Sequence, residues 1–176
     1  MIPLVILNGA ECVLIMALGA LCHEAAHICA IKTGGGKIKR ADVGFLNANI
    51  VYSSEKMSLN SETANSLAGI AVNAVLAALS YLIYRYYPDI RLAFFSLCNA
   101  AFAAVNLLPV RGLDGYNALY HFLQMRYDAN KSYEICRRAS EISALLLVSA
   151  VFFVILKTGM NTSVILLFML AAALKK

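Results

Sequence analysis

Long apolar runs separated by short polar stretches dominate this chain. Residues 63–84 contain no charged side chain, and about 20 such residues in a helix span the hydrocarbon core of a bilayer. A second uncharged run, Leu92 to Val110, is nearly as long, and the first 31 residues are apolar apart from a few ionisable groups. We therefore predict three core membrane helices, over about residues 4–31, 64–84 and 91–108.

Two shorter apolar runs follow a polar, water-facing stretch. Ile142 to Leu156 and Thr158 to Leu174 are separated only by Lys157 and a turn-like Thr-Gly-Met-Asn sequence, which predicts a helical hairpin over about residues 141–174. The chain is thus predicted to be an all-α polytopic membrane protein with about five transmembrane helices. We expect residues 1–176 to form a single integral-membrane domain.

The segment between the first two helices has a different pattern. From Phe45 to Tyr52, Asn47 and Asn49 alternate with apolar residues, as in a half-buried strand. Gly44 can occupy a turn before this strand. We predict a small β-hairpin at the membrane surface, with an irregular interfacial loop as the alternative.

Composition supports a membrane location. The chain is 61% apolar and 14% charged, whereas soluble domains are roughly 45–50% apolar and about 25% charged. With the amino terminus outside, all but three of the 15 basic residues lie on the cytoplasmic side, the three being Arg85, Arg91 and Lys157. The positive-inside rule favours this orientation. The predicted membrane topology therefore accounts for the excess of basic over acidic residues, and we predict no nucleic-acid partner.

One short motif carries the candidate chemistry. His23-Glu24-Ala25-Ala26-His27 matches HExxH, in which two imidazoles four residues apart share one helical face and can bind zinc. Glu24 lies between them, where it can take a proton from zinc-bound water. The alternative is a polar pair satisfied inside a helix bundle. The five cysteines form no CxxC pair and are interpreted as small buried hydrophobes.

A catalytic zinc needs a third protein ligand. Asp114 is the best candidate, because it follows the third apolar run at the same predicted depth as His23 and His27. His121, about two helical turns further on, is the competing ligand. An ordinary turn residue before Gly115 is the other interpretation of Asp114.

These motifs together resemble the site-2 protease family of intramembrane zinc metalloproteases. HEAAH in a membrane helix is followed by Asn106-Leu107-Leu108-Pro109-Val110-Arg111-Gly112-Leu113-Asp114-Gly115, and residues 69–73 match the GxxxN pattern common on the family's second core helix. The short chain most resembles the sporulation-factor protease branch. Arg111-Gly112 and Tyr116 depart from the usual family pattern around the Asp-Gly pair.

The resemblance implies His23, His27 and Asp114 as zinc ligands and Glu24 as general base. It also implies that Asn73 faces the substrate or the developing oxyanion, and that Asn106 supports the site or contacts substrate. An interfacial strand edge in this family would receive the substrate as an added strand.

The predicted function is therefore that of a zinc-dependent intramembrane endopeptidase. It would cleave a membrane-embedded or membrane-adjacent protein near the cytoplasmic face, and the protein would be multi-pass in a bacterial cell membrane. Two alternatives are a non-catalytic relative that binds a membrane protein and a small metal transporter. The intact His-Glu-His and Asp set disfavours the first, and the scarcity of other ionisable residues in the spans disfavours the second.

Overall fold

The computed structural model describes residues 7–43 and 48–158 of the chain. Five α-helices and one antiparallel pair of strands make up this part. Helix α1 covers Gly9–Thr33, strands β1 and β2 cover Lys37–Val43 and Ala48–Ser53, and helices α2 to α5 cover Leu59–Tyr86, Ile90–Asn106, Asp114–Gln124 and Ala129–Thr158.

Local sequence signals set the helix starts. Asn8 accepts a hydrogen bond from the Glu11 backbone at 2.8 Å, and the Glu11 side chain accepts one from the Asn8 backbone, which is a capping box. Ser58 and Asp89 cap α2 and α3 more simply, each through one side chain that accepts a backbone hydrogen bond. Apolar runs preceded by such caps are sufficient to explain why the first three helices form where they do.

Helix α2 lies at the centre of the fold, in contact with α1, α3 and α4. Helix α5 packs on α4, and the β-hairpin packs on α1. Because α1 and α4 both pack on α2, side chains from the end of α1 and the start of α4 meet against its surface. The functional residues lie at this meeting point.

Polar side chains are buried beside the apolar core, and many large apolar side chains are exposed. Asn73 and Asn99 are fully buried, while Leu14, Leu145 and Leu146 are each about two-thirds exposed. In water such apolar surface drives association, whereas lipid tails solvate it well. The described residues include two helices, α1 and α2, that are long and apolar enough to cross a membrane, and α3 is a shorter apolar helix.

The predicted hairpin is present, although its strands differ in extent from the prediction. Strand β2 begins at Ala48, and β1 pairs with it from Lys37↔Ser53 to Val43↔Ala48, with a bulge between Ile38 and Arg40. The strand paired with β2 thus lies directly after the glycine run, in a segment whose pattern did not predict a strand. The predicted turn at Gly44 and the start of the predicted strand at Phe45 lie outside the described residues.

The carboxyl-terminal part corrects a second expectation. The stretch predicted to be simply water-facing contains α4 and the first turns of α5, and α5 begins at Ala129 and not near residue 141. Residues 129–158 contain neither glycine nor proline, so nothing interrupts the helix where its composition changes from polar to apolar. The second half of the predicted helical hairpin lies outside the described residues, and the count of about five spans remains a prediction.

Candidate metal centre

Helix α1 presents both histidines of the HExxH motif on its buried face. His23 and His27 are 7% and 8% exposed, while Leu21 beside them is 59% exposed. Their ring centroids lie 4.8 Å apart, and the two Nε2 atoms are 3.1 Å apart. The i, i+4 spacing therefore brings the two imidazole nitrogens to one point, as the motif predicts.

Asp114 reaches the same point from the first position of α4. Its Oδ2 atom lies 2.9 Å from Nε2 of His23 and 3.2 Å from Nε2 of His27. Burial raises the pKa of Asp114, but the adjoining imidazoles lower it by more, so the pKa is below its ordinary value. The group is consequently a carboxylate. Of the acidic, histidine and cysteine side chains described, these three form the group able to hold a metal ion.

Two glycines shape the loop that delivers Asp114. Gly112 has a φ of +94°, a left-handed conformation that a side chain disfavours. Gly115 lies against the backbone carbonyls of Leu107 and Leu108, and a Cβ there would collide with them. The Leu-Asp-Gly sequence thus turns the chain tightly back onto the end of α3 and directs Asp114 at α1.

Helix α2 supplies a third wall, formed by Asn65, Gly69 and Asn73 at successive i, i+4 positions. Nδ1 of His27 lies 2.8 Å from the backbone carbonyl oxygen of Asn65, and Nδ1 of His23 lies 3.1 Å from the Asn73 amide. A Cβ on Gly69 would approach atoms of both rings to about 2.5–2.6 Å. The GxxxN pattern therefore gives the imidazoles room and hydrogen-bond partners.

Sequence reasoning missed Asn65 altogether. Its contribution is a backbone carbonyl, which no residue type reveals. The available signal is its spacing, since it precedes the glycine of the GxxxN pattern by one helical turn on the same face.

The hydrogen-bond pattern at His27 indicates what the three ligand atoms can bind. A carbonyl oxygen only accepts, so the proton of neutral His27 is on Nδ1 and its lone pair is on Nε2. That lone pair faces the Asp114 carboxylate oxygen at 3.2 Å. Two facing lone pairs repel unless a proton or a metal cation lies between them, and the convergence of three such donor atoms fits a divalent metal ion.

The other predicted site residues lie at varying distances from this point. Glu24 is half-buried next to His23, and its charge interacts with those of His23, His27 and Asp114. Asn106 is the last residue of α3, and within the described part of the chain no hydrogen bond joins it to the three ligand candidates. His121 is not in the cluster. Its Nε2 lies 3.3 Å from Oε2 of Glu62.

The Glu62 carboxylate links the hairpin to the helices. The Tyr52 hydroxyl, on β2, donates to Oε2 of Glu62 at 3.4 Å and accepts from the Asn65 amide at 3.3 Å. Burial and the Glu62 charge both raise the pKa of Tyr52, so the hydroxyl keeps its proton. His121 contacts the same carboxylate from α4, and thus β2, α2 and α4 share one polar cluster beside the candidate metal centre.

Arg111, one of the departures from the family pattern, is anchored to α5. Its backbone N–H donates to Oγ of Ser140 at 2.9 Å, and its guanidinium donates to the Tyr133 hydroxyl at 2.8 Å. Tyr116, the second departure, is buried in α4. The Arg111 contacts join the loop before Asp114 to α5.

Glu11, for which the sequence offered no partner, forms an ion pair at the other end of α1. Its Oε1 atom accepts from the Arg91 guanidinium at 2.7 Å. The pair joins the start of α1 to the start of α3.

Known proteins resemble this chain in sequence and in fold. No protein-family profile matches the chain. Over 84 residues, 44% of this chain, it is 33% identical to a Mycolicibacterium smegmatis protein whose provisional name is zinc metalloprotease Rip2. That alignment spans only 32% of the curated relative's length.

Among solved structures, the chain matches the site-2 protease of Methanocaldococcus jannaschii. The TM-score is 0.66 at 22% identity, over 90% of this chain and 72% of the other. An identity this low shows the fold alone. The resemblance that the motifs indicated is confirmed at that level, and the chain has the site-2 protease fold.

Proposed function

We propose that this protein is a zinc-dependent intramembrane endopeptidase. The observation that carries the proposal is the convergence of His23 Nε2, His27 Nε2 and Asp114 Oδ2 at separations of 2.9–3.2 Å. Ligand atoms about 2.0–2.2 Å from a tetrahedral zinc ion lie about 3.3–3.6 Å from one another, so a small outward movement of the three groups would accommodate the ion. Three protein ligands leave one position open, which is typical of catalytic zinc sites.

The name of the curated relative supports zinc as the metal. When bound, zinc would supply Lewis-acid polarisation of the scissile carbonyl and lower the pKa of a water molecule toward about 7. Glu24 adjoins both histidines on α1, and as general base it would accept a proton from the attacking water and return it to the leaving amine. Asn106 remains a predicted substrate contact.

The substrate we propose is a membrane-embedded or membrane-adjacent protein. A peptide bond within a helix is shielded, so the cleaved segment must be extended at the site. In the described residues β1 and β2 pair only with each other, which leaves each strand an edge to which an extended segment can add. The hairpin packs on α1, the helix that carries both histidines.

Location and orientation follow from the same features. The exposed apolar faces of α1 and α2 favour a position in the bilayer. The distribution of basic residues favours a multi-pass topology with the metal centre toward the cytoplasm. A metal transporter is disfavoured, because the searched residues contain a single group of potential metal ligands and Glu11 is paired with Arg91.

Glu24→Gln and Asp114→Ala test the proposal when both are compared with the wild type in lipid vesicles. The probe is a peptide with one membrane span. A fluorophore and a quencher flank the segment at the cytoplasmic end of that span, so cleavage there separates them. Glu24→Gln is expected to keep zinc and to lose cleavage by about 10²–10⁴-fold, since it removes the base. Asp114→Ala is expected to lose both zinc and cleavage.

Glu141→Gln is the matched control, because Glu141 is an exposed carboxylate paired only with Arg137 in the described contacts. It should cleave at the wild-type rate. Wild-type cleavage by Glu24→Gln would show that Glu24 is not the base. A wild type that binds zinc but cleaves neither this peptide nor casein would favour the non-catalytic relative.

A further inference from the structure

The Asn73 side chain is wholly buried in the fold, with an exposed fraction of 0%. One end of its amide lies 3.1 Å from Nδ1 of His23. The oxygen at the other end, Oδ1, has no hydrogen-bond partner in the described residues. The amide therefore contacts Nδ1 of His23, whereas the other ring nitrogen, Nε2, faces Asp114.

The orientation of this amide fixes the proton position on His23. If NH₂ faces the ring, Nδ1 must hold the lone pair and the proton goes to Nε2, the atom 2.9 Å from Asp114. If the oxygen faces the ring, Nδ1 carries the proton and Nε2 is free to bind a metal. The two orientations differ by a half-turn of the Asn73 amide, whose O and NH₂ groups have nearly the same shape. In either orientation one of the two groups has no hydrogen-bond partner among the described residues.

His27 shows which state the site requires. Its Nδ1 faces a backbone carbonyl, so its Nε2 is already in the metal-binding state. Two ligands of one metal ion must be in that state together. Only the oxygen-facing orientation of Asn73 gives His23 the same state.

We propose that Asn73 is a positioning residue whose amide oxygen accepts a hydrogen bond from Nδ1–H of His23. Through that bond it holds the ring and leaves Nε2 free for the metal. The inference rests on the zinc site of the proposed function. It gives Asn73 a role on the ligand in place of the substrate-facing role that the family resemblance implied.

Three variants of the full-length protein in detergent separate these roles. Zinc affinity is measured by competition with a chelator, and peptide cleavage is measured in parallel. Asn73→Leu removes the acceptor with little change in volume and is expected to weaken zinc binding by about 10–100-fold. Asn73→Asp keeps an acceptor and loses the donor, so it is expected to bind zinc at least as tightly as the wild type.

Asn99→Leu is the matched control, because Asn99 is equally buried but donates only to its own helix at Phe95. Its zinc affinity should equal that of the wild type. The helical circular dichroism signal checks that each variant is folded. If Asn73→Leu is not folded, the zinc affinity of Asn73→Asp relative to the wild type decides the test.

Two results overturn the inference alone. One is an Asn73→Leu variant that binds zinc as tightly as the wild type, while both Asn73→Leu and Asn73→Asp have lost cleavage. That result would indicate that the Asn73 amide donates a hydrogen bond to the substrate. The other is a folded Asn73→Asp that has lost zinc. A wild type without zinc overturns both the proposed function and the inference.

Discussion

At the scale of single residues, the candidate metal centre includes small groups of α2 that pack against the rings of the two histidines. The Asn65 carbonyl and the Asn73 amide lie on the Nδ1 side of His27 and His23, and Gly69 lies between them without a side chain. Such partners orient histidine ligands and raise their basicity. The HExxH motif alone therefore describes only the face of the rings that meets the metal.

Gly69→Ala tests this arrangement. The new Cβ would lie about 2.5 Å from Cε1 of His23 and 2.6 Å from Nε2 of His27, so at least one ring must move. We expect zinc affinity to fall by at least about tenfold, comparable to the loss of a hydrogen-bond partner behind a ligand. Chelator competition measures this.

Gly9→Ala is the companion variant, since none of the described residues lies within 4 Å of a Cβ at Gly9. It should bind zinc normally. Unchanged affinity in Gly69→Ala would show that the rings have more freedom than the structure gives them.

At the scale of elements, the loop that carries Asp114 is held from two sides. Gly115 fits against the end of α3, and Arg111 is bonded to Ser140 and Tyr133 of α5. This contact explains how the chain accommodates arginine beside the Asp-Gly pair, because α5 supplies partners for both the Arg111 backbone and its side chain.

Ser140→Ala is expected to loosen this loop. It removes the acceptor for the Arg111 N–H, a hydrogen bond worth about 0.5–1.5 kcal/mol. Hydrogen exchange of a peptide covering residues 109–113 should accelerate by about 2- to 10-fold. Ser149→Ala serves as control, because the Ser149 hydroxyl bonds only within its own helix at Leu145. Equal exchange in the two variants would mean that α5 does not restrain the loop.

The elements also show where sequence reasoning succeeds. Uncharged apolar runs predict the first three helices, and the caps that the structure shows at Asn8, Ser58 and Asp89 agree with them. Strand β1 contains Lys37, Lys39 and Arg40, and it forms through pairing with β2, which hydropathy does not reveal. Helix α4 is amphipathic and short, so a search for long apolar runs passes over it.

At the scale of the whole molecule, several polar side chains are buried beside the apolar core while many large apolar side chains face outward. The fully buried side chains include Asn73, Asn99 and Ser132, whereas leucines of α1 and α5 are exposed. A bilayer around the helices is the environment that makes this arrangement stable.

The sequence predicts those parts of the candidate site whose chemistry depends on the type of side chain. His23, Glu24, His27 and Asp114 could be selected from motif and depth, and the structure places them together. The pairing of His121 with Glu62 could not be foreseen, because residue spacing does not show which way α4 turns after Gly115. The Asn65 carbonyl and the Arg111 anchor likewise depend on packing between distant segments.

The most direct test of this account is the zinc content of the purified protein, measured by elemental analysis for the wild type, Asp114→Ala and His121→Gln. We predict one zinc ion per chain in the wild type and in His121→Gln, whose residue contacts Glu62 outside the cluster, and none in Asp114→Ala. Zinc absent from the wild type, or retained in Asp114→Ala and lost in His121→Gln, would contradict the proposed metal centre.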